Sequence, residues 1–145
     1  MKIKVIPYGY ANLPKRAHEN DAGADVYACP KDKSGAALRS LIIQPHETVK
    51  IPLGFGLELP DGYMACVYPR SGLSSKGIVC ELPPIDSGYR GEVHAIVSNL
   101  GTKPFTVEDG DRIGQLVVTP VVIADFVTEM GAQRGTGAFG STGVK

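Results

Sequence analysis

EVHAIVSN, residues Glu92 to Asn99, decides the fold class. Val93, Ala95 and Val97 alternate with His94, Ile96 and Ser98. In an extended chain that alternation puts three apolar side chains on one face and a mixed set on the other, as in a strand of a sandwich. On a helix the same residues would be scattered around the circumference.

Outward from this stretch, short β-branched runs bounded by turn residues recur. They are Lys2–Ile6, Leu41–Ile43, Thr48–Pro52, Phe55–Leu59, Met64–Tyr68, Arg112–Thr119 and Val121–Val127. No long window sustains the i, i+3, i+4 apolar spacing of a helix. Pro60-Asp61-Gly62 and Asp109-Gly110-Asp111 read as tight turns. The 18 glycines and 11 prolines are dispersed, which fits many short reversals and no linker. The expectation is an all-β jelly roll or β-sandwich of about ten short strands, filling one domain over residues 1–145.

Composition limits what such a domain binds. Lys plus Arg and Asp plus Glu number 15 each, so no strong overall field draws in a nucleic acid, and direct nucleic-acid binding is not expected. A single anionic small molecule is compatible. The opening MKIKVIPYGY lacks a secretory apolar run, and no stretch of membrane-spanning length occurs, so a soluble, cytoplasmic protein is expected. Cys29, Cys66 and Cys80 form no C-x-x-C pair and read as free, mostly buried thiols.

Five polar, glycine-rich segments interrupt the β pattern: DAGAD (Asp21–Asp25), PRSG (Pro69–Gly72), IDSGYRG (Ile85–Gly91), GDRIGQ (Gly110–Gln115) and RGTGAFGSTGVK (Arg134–Lys145). Each alone reads equally well as a turn. Together they supply hydroxyl residues beside glycines, arginines, a glutamine and several carboxylates, a set suited to a phosphate chain held with a divalent ion. The closing segment is no Walker A loop, because only Val144 and Lys145 follow Gly143 and no helix can be built there. Its readings are a flap, with Arg134 as a fork for anionic oxygens and Phe139 as a stacking face, or a frayed terminus.

PRSG, IDSGYRG, GDRIGQLVV and RGTGAFGSTG, in this order after DAGAD, resemble the five motifs of the homotrimeric dUTPase family over roughly Ala22 to Gly143. The resemblance implies hydrolysis of dUTP to dUMP and pyrophosphate with Mg²⁺ on the triphosphate, at three sites shared between the subunits of a jelly-roll homotrimer. It implies that Asp86 is the catalytic base activating water for in-line attack on the α-phosphorus. Tyr89 would lie against the deoxyribose and exclude a 2′-hydroxyl, and Asp25 would help hold the hydrated metal. Arg70, Ser71 and Gly72 would meet phosphate oxygens, with a short helical turn through Leu73–Ser75, and Gln115 matches a further phosphate ligand. Residues 131–145 would form an arm closing over a neighbouring subunit's site, with Arg134, Gly140, Ser141 and Thr142 toward the phosphates and Phe139 over the base. Read without the resemblance, Asp86 is a turn aspartate, Tyr89 a core tyrosine, Asp25 a loop carboxylate and Arg112 an ion-pair partner.

GIVCELPPID departs from the family pattern. The family builds there a β-hairpin whose backbone reads the uracil edge; this stretch is shorter, and Pro83 and Pro84 remove two backbone donors. Val79, Cys80, Glu81 and Leu82 are the expected base-edge contacts. A dCTP deaminase or bifunctional deaminase–dUTPase on the same fold is one competing reading, prompted by Glu81. A regulatory nucleotide-binding trimer is another.

Overall fold

The apolar runs condense into ten strands among the residues the computed structural model describes, 1–9, 12–129 and 131: β1 (Lys4–Pro7), β2 (Ala24–Tyr27), β3 (Ser40–Ile43), β4 (Thr48–Pro52), β5 (Phe55–Glu58), β6 (Tyr63–Tyr68), β7 (Ile78–Glu81), β8 (His94–Asn99), β9 (Phe105–Glu108) and β10 (Arg112–Pro120). A single helical turn, α1 (Ser71–Ser74), lies between β6 and β7, slightly ahead of its expected position. All pairings are antiparallel. β10 lies between β2 and β6, β8 lies between β4 and β7, and two further ladders join β1 to β5 and β3 to β9.

The alternation in EVHAIVSN does what its pattern dictates. Val93, Ala95 and Val97 are fully buried, together with Val26, Ile43, Ile51, Leu53, Phe55, Val107 and Ile113, whose apolar area drives the sheets together. Gly62 and Gly110 take φ of +84°, a conformation side chains disfavour, and so close the two expected turns. The architecture is the all-β jelly-roll sandwich expected.

Three strands, β2, β7 and β9, form where no run stands out in the sequence. Val121–Val127, expected as a strand, is not one: Val122, Ile123 and Phe126 are 91%, 80% and 98% exposed. β10 ends at Pro120 opposite Tyr63, and the Val121 amide makes a last bond to the Gly62 carbonyl. Beyond lies the Asp61-Gly62 turn, so the chain has no strand left to pair with.

Candidate active site

Three of the five polar segments converge at one end of β10. Gln115 stands opposite Asp25 of β2 on one side and Tyr68 of β6 on the other, and β6 runs directly into Pro69 and Arg70. A pocket there is lined by Gly23, Asp25, Arg70, Arg112 and Gln115, with His18 and Asp21 at its edge. Gly23 has a steric reason: a Cβ on it would sit 2.5 Å from Gln115 Oε1, so the glutamine side chain packs directly on the glycine backbone. Arg112 Nη1 lies 3.4 Å from Asp25 Oδ2, and Arg70 Nη1 donates to the Arg112 carbonyl at 3.2 Å. Arg112 is thus an ion-pair partner that also orders Arg70. Ser71 is exposed in α1 after Arg70, and the Gly72 carbonyl accepts the Ser75 hydroxyl. Asp21 accepts the His18 amide at 2.8 Å and so closes its own turn.

The third segment builds a different pocket. Ile85 exchanges both backbone hydrogen bonds with Ala65 in the middle of β6. Asp86 then opens a turn closed by the Tyr89 amide on the Asp86 carbonyl at 3.0 Å, so main chain and not the carboxylate makes the reversal. Ser87 Oγ donates to Asp61 Oδ1 at 3.2 Å. The Tyr89 hydroxyl donates to the Glu92 carbonyl at 2.8 Å, leaving the ring 45% exposed; it is a surface tyrosine and not a core one. Asp86 and Tyr89 line this pocket with Glu81, Pro83, Pro84 and His94.

His94 and Glu92 were not singled out from sequence, although His94 sits on the outward face of the opening stretch. His94 Nδ1 lies 2.9 Å from the same Glu92 carbonyl that Tyr89 uses. Burial, with Lys50 nearby, pushes its pKa below the ordinary imidazole value. The Glu92 carboxylate is held by Lys31 Nζ at 2.8 Å and by the Gly54 amide at 2.8 Å.

The stretch expected as a base-reading hairpin does not fold back on itself. β7 pairs along β8, with Ile78 opposite Asn99 and Glu81 opposite Ile96, and the prolines then turn the chain to Ile85. Period-two alternation splits its residues: Cys80 packs against the core, where burial pushes its thiol up to about 11, while Glu81 reaches the Asp86 pocket. Val79 and Leu82 do not line that pocket. Arg134, Phe139, Gly140, Ser141 and Thr142 lie outside the described residues.

The two pockets share no lining residue. Antiparallel pairing of Ile85 with Ala65 sends Asp86 toward the start of β6, whereas Arg70 follows its end. The five-residue run from Ala65 to Arg70 corresponds to roughly 17 Å at about 3.3 Å per residue. A base acting within hydrogen-bond reach of water cannot serve a phosphate held that far away. Among the described residues no three His, Cys, Asp or Glu side chains group as a metal cage. No described helix is long and apolar enough to cross a membrane.

The dUTPase family pattern matches residues 9–143. The deoxyuridine 5'-triphosphate nucleotidohydrolase of Gloeobacter violaceus is 45% identical over 137 residues, covering 90% of this chain and 88% of its own. That of Rhizobium leguminosarum bv. trifolii is 41% identical over 139 residues, covering 92% and 86%. The solved dUTPase of Staphylococcus bacteriophage 80alpha with dUPNHPP superimposes with a TM-score of 0.82 at 27% identity over 99% of each chain. The dUTPase of phage phi11 of S. aureus, which coordinates a structural Mg(II) ion, shares the fold at 23% identity, with a TM-score of 0.79 over 91% of this chain and 100% of its own. With ordered motifs, fold and sequence agreeing over nearly its whole length, this chain belongs to the dUTPase family.

Proposed function

We propose that the chain hydrolyses dUTP to dUMP and pyrophosphate in a homotrimer, each active site combining the Asp86 pocket of one copy with the Asp25–Arg70–Gln115 pocket of another. The observation that carries this reading is the separation of the two pockets along β6. Exposed Val122, Ile123 and Phe126 support assembly, since large apolar side chains left in water within one short segment are commonly covered by another chain.

In this reading the Asp86 carboxylate takes a proton from water as the water oxygen bonds to the α-phosphorus. The α-phosphorus to bridging-oxygen bond breaks, and pyrophosphate leaves with the electron pair. Tyr89 presents its ring to the deoxyribose, where a 2′-hydroxyl would be desolvated without a partner. Arg70 offers a guanidinium to the phosphates, and Ser71, Gly72 and Gln115 complete that end. The mostly buried carboxylate of Asp25 suits a Mg²⁺ that keeps several waters and is held chiefly by substrate phosphates. When bound, the ion supplies neutralisation of the triphosphate charge. In this reading Arg134, Gly140, Ser141 and Thr142 of the closing segment, 131–145, would serve the phosphates of a neighbouring subunit's site and Phe139 the base. A soluble cytoplasmic location belongs to the same reading.

Base discrimination rests on the Glu81 side of the Asp86 pocket. That carboxylate is the observation favouring the second reading, dCTP deamination. Pyrophosphate release with Mg²⁺ across dUTP, UTP, dTTP and dCTP tests both. Preference for dUTP supports the proposal, and ammonia release from dCTP reverses it in favour of the deaminase.

A further inference from the structure

Tyr8 belongs to none of the polar segments, yet it touches the loop that carries Asp86 and Tyr89. Its amide donates to the Gly54 carbonyl at 2.8 Å, and its hydroxyl donates to the Arg90 carbonyl at 2.8 Å. The contact depends on a bare backbone beneath it. A Cβ on Gly56 would lie 2.8 Å from the Gly91 carbonyl oxygen and 3.0 Å from both the Arg90 carbonyl oxygen and Tyr8 Cε2, so ring and loop both rest on the β5 main chain. Gly91 in turn lies under Tyr89, since a Cβ there would sit 2.5 Å from the Tyr89 hydroxyl. Tyr8, Arg90, Gly91 and Tyr89 thus form one stack, with β5 as its base.

From this geometry we propose that Tyr8 is a positioning residue for sugar selection: it fixes the Arg90–Gly91 segment and through it the exposed ring of Tyr89. The inference rests on the dUTP-hydrolysing reading above. The other bonds of Tyr89, its amide on the Asp86 carbonyl and its hydroxyl on the Glu92 carbonyl, both lie within three residues of it and leave ring and segment to shift together. The hydroxyl of Tyr8 comes from the residue just past β1, outside this loop, and removes that freedom. It makes no contact with the pocket lining Asp86, so its effect falls on how closely the ring can approach a 2′-hydroxyl and not on the proton transfer.

The test is kcat and KM of Tyr8→Phe on dUTP and on UTP, with thermal melting as a folding control. Tyr8→Phe keeps the ring on Gly56 and removes one exposed hydrogen bond, so the fold persists. The expected result is a loss of about three- to tenfold in the ratio of kcat/KM for dUTP over UTP, carried mainly by KM for dUTP and by improved use of UTP. Gly56→Ala, if it folds, is expected to shift the ratio in the same direction. An unchanged ratio, whether both nucleotides keep their rates or both lose equally, overturns the proposal, because a merely structural bond would act on both alike. A wild-type protein inert toward dUTP would instead overturn the functional reading itself.

Discussion

At the scale of single residues, the chemistry is assigned to a carboxylate that its own turn leaves free. The Asp86 reversal is closed by main chain, so replacing the side chain changes the base without changing the loop. Asp86→Asn is expected to lower kcat by about 10²–10⁴ while binding of a non-hydrolysable dUTP analogue stays near wild type, as measured by steady-state kinetics beside calorimetric titration. His94 gives the pocket a pH signature. Burial holds its folded pKa below 6.5, so between that folded value and 6.5 the unfolded chain binds more protons. Stability therefore rises with pH across this window and is lost as pH falls below 6.5. Urea midpoints at about pH 5 and about pH 7.5 are expected to differ less in His94→Gln than in wild type.

At the scale of elements, Asn99 links three pieces of the fold. It is wholly buried at the end of β8, donates to the carbonyls of Ile43 on β3 at 2.9 Å and Lys103 at 2.8 Å, and accepts from the Gly101 amide at 2.9 Å. Asn99→Ala removes the partner of the buried Ile43 carbonyl and of two part-buried backbone groups, and is expected to cost about 1–3 kcal/mol in chemical denaturation. Such a node is not legible in sequence, because Asn99 looks like the polar end of an alternating strand. What was legible were strands with their own alternation, above all β8, and glycine turns that demand positive φ, Gly62 and Gly110. β2 escaped notice because its first half, Ala24 and Asp25, is the end of DAGAD, and only the buried Val26 just after it is a β-branched residue. Val121–Val127 misled for the opposite reason: a β-rich composition makes a strand only where a neighbouring edge is available, and edges belong to topology. The motif order pointed to residues that line two pockets, but not to their division between two ends of β6.

At the scale of the whole molecule, that division is the central matter. A lone chain holds the Asp86 pocket and the Arg70 pocket too far apart to act on one phosphorus, so in the proposed reading activity is a property of the assembly. The proposed trimer satisfies this by setting unlike pockets face to face, and each protomer then serves two sites. Such sharing has a consequence that a self-contained subunit would lack. Two variants, each inactive alone through loss of a different pocket, repair one another when their subunits mix. The most direct measurement is therefore dUTP turnover by Asp86→Asn and Arg70→Ala proteins, assayed singly and after co-refolding from denaturant in equal amounts. Random assembly is expected to return about a quarter of wild-type activity from two nearly inert parents, because that fraction of interfaces joins an intact Asp86 to an intact Arg70. No recovery in well-folded mixed assemblies would contradict the account, since it would mean that Asp86 and Arg70 serve the same site from one chain.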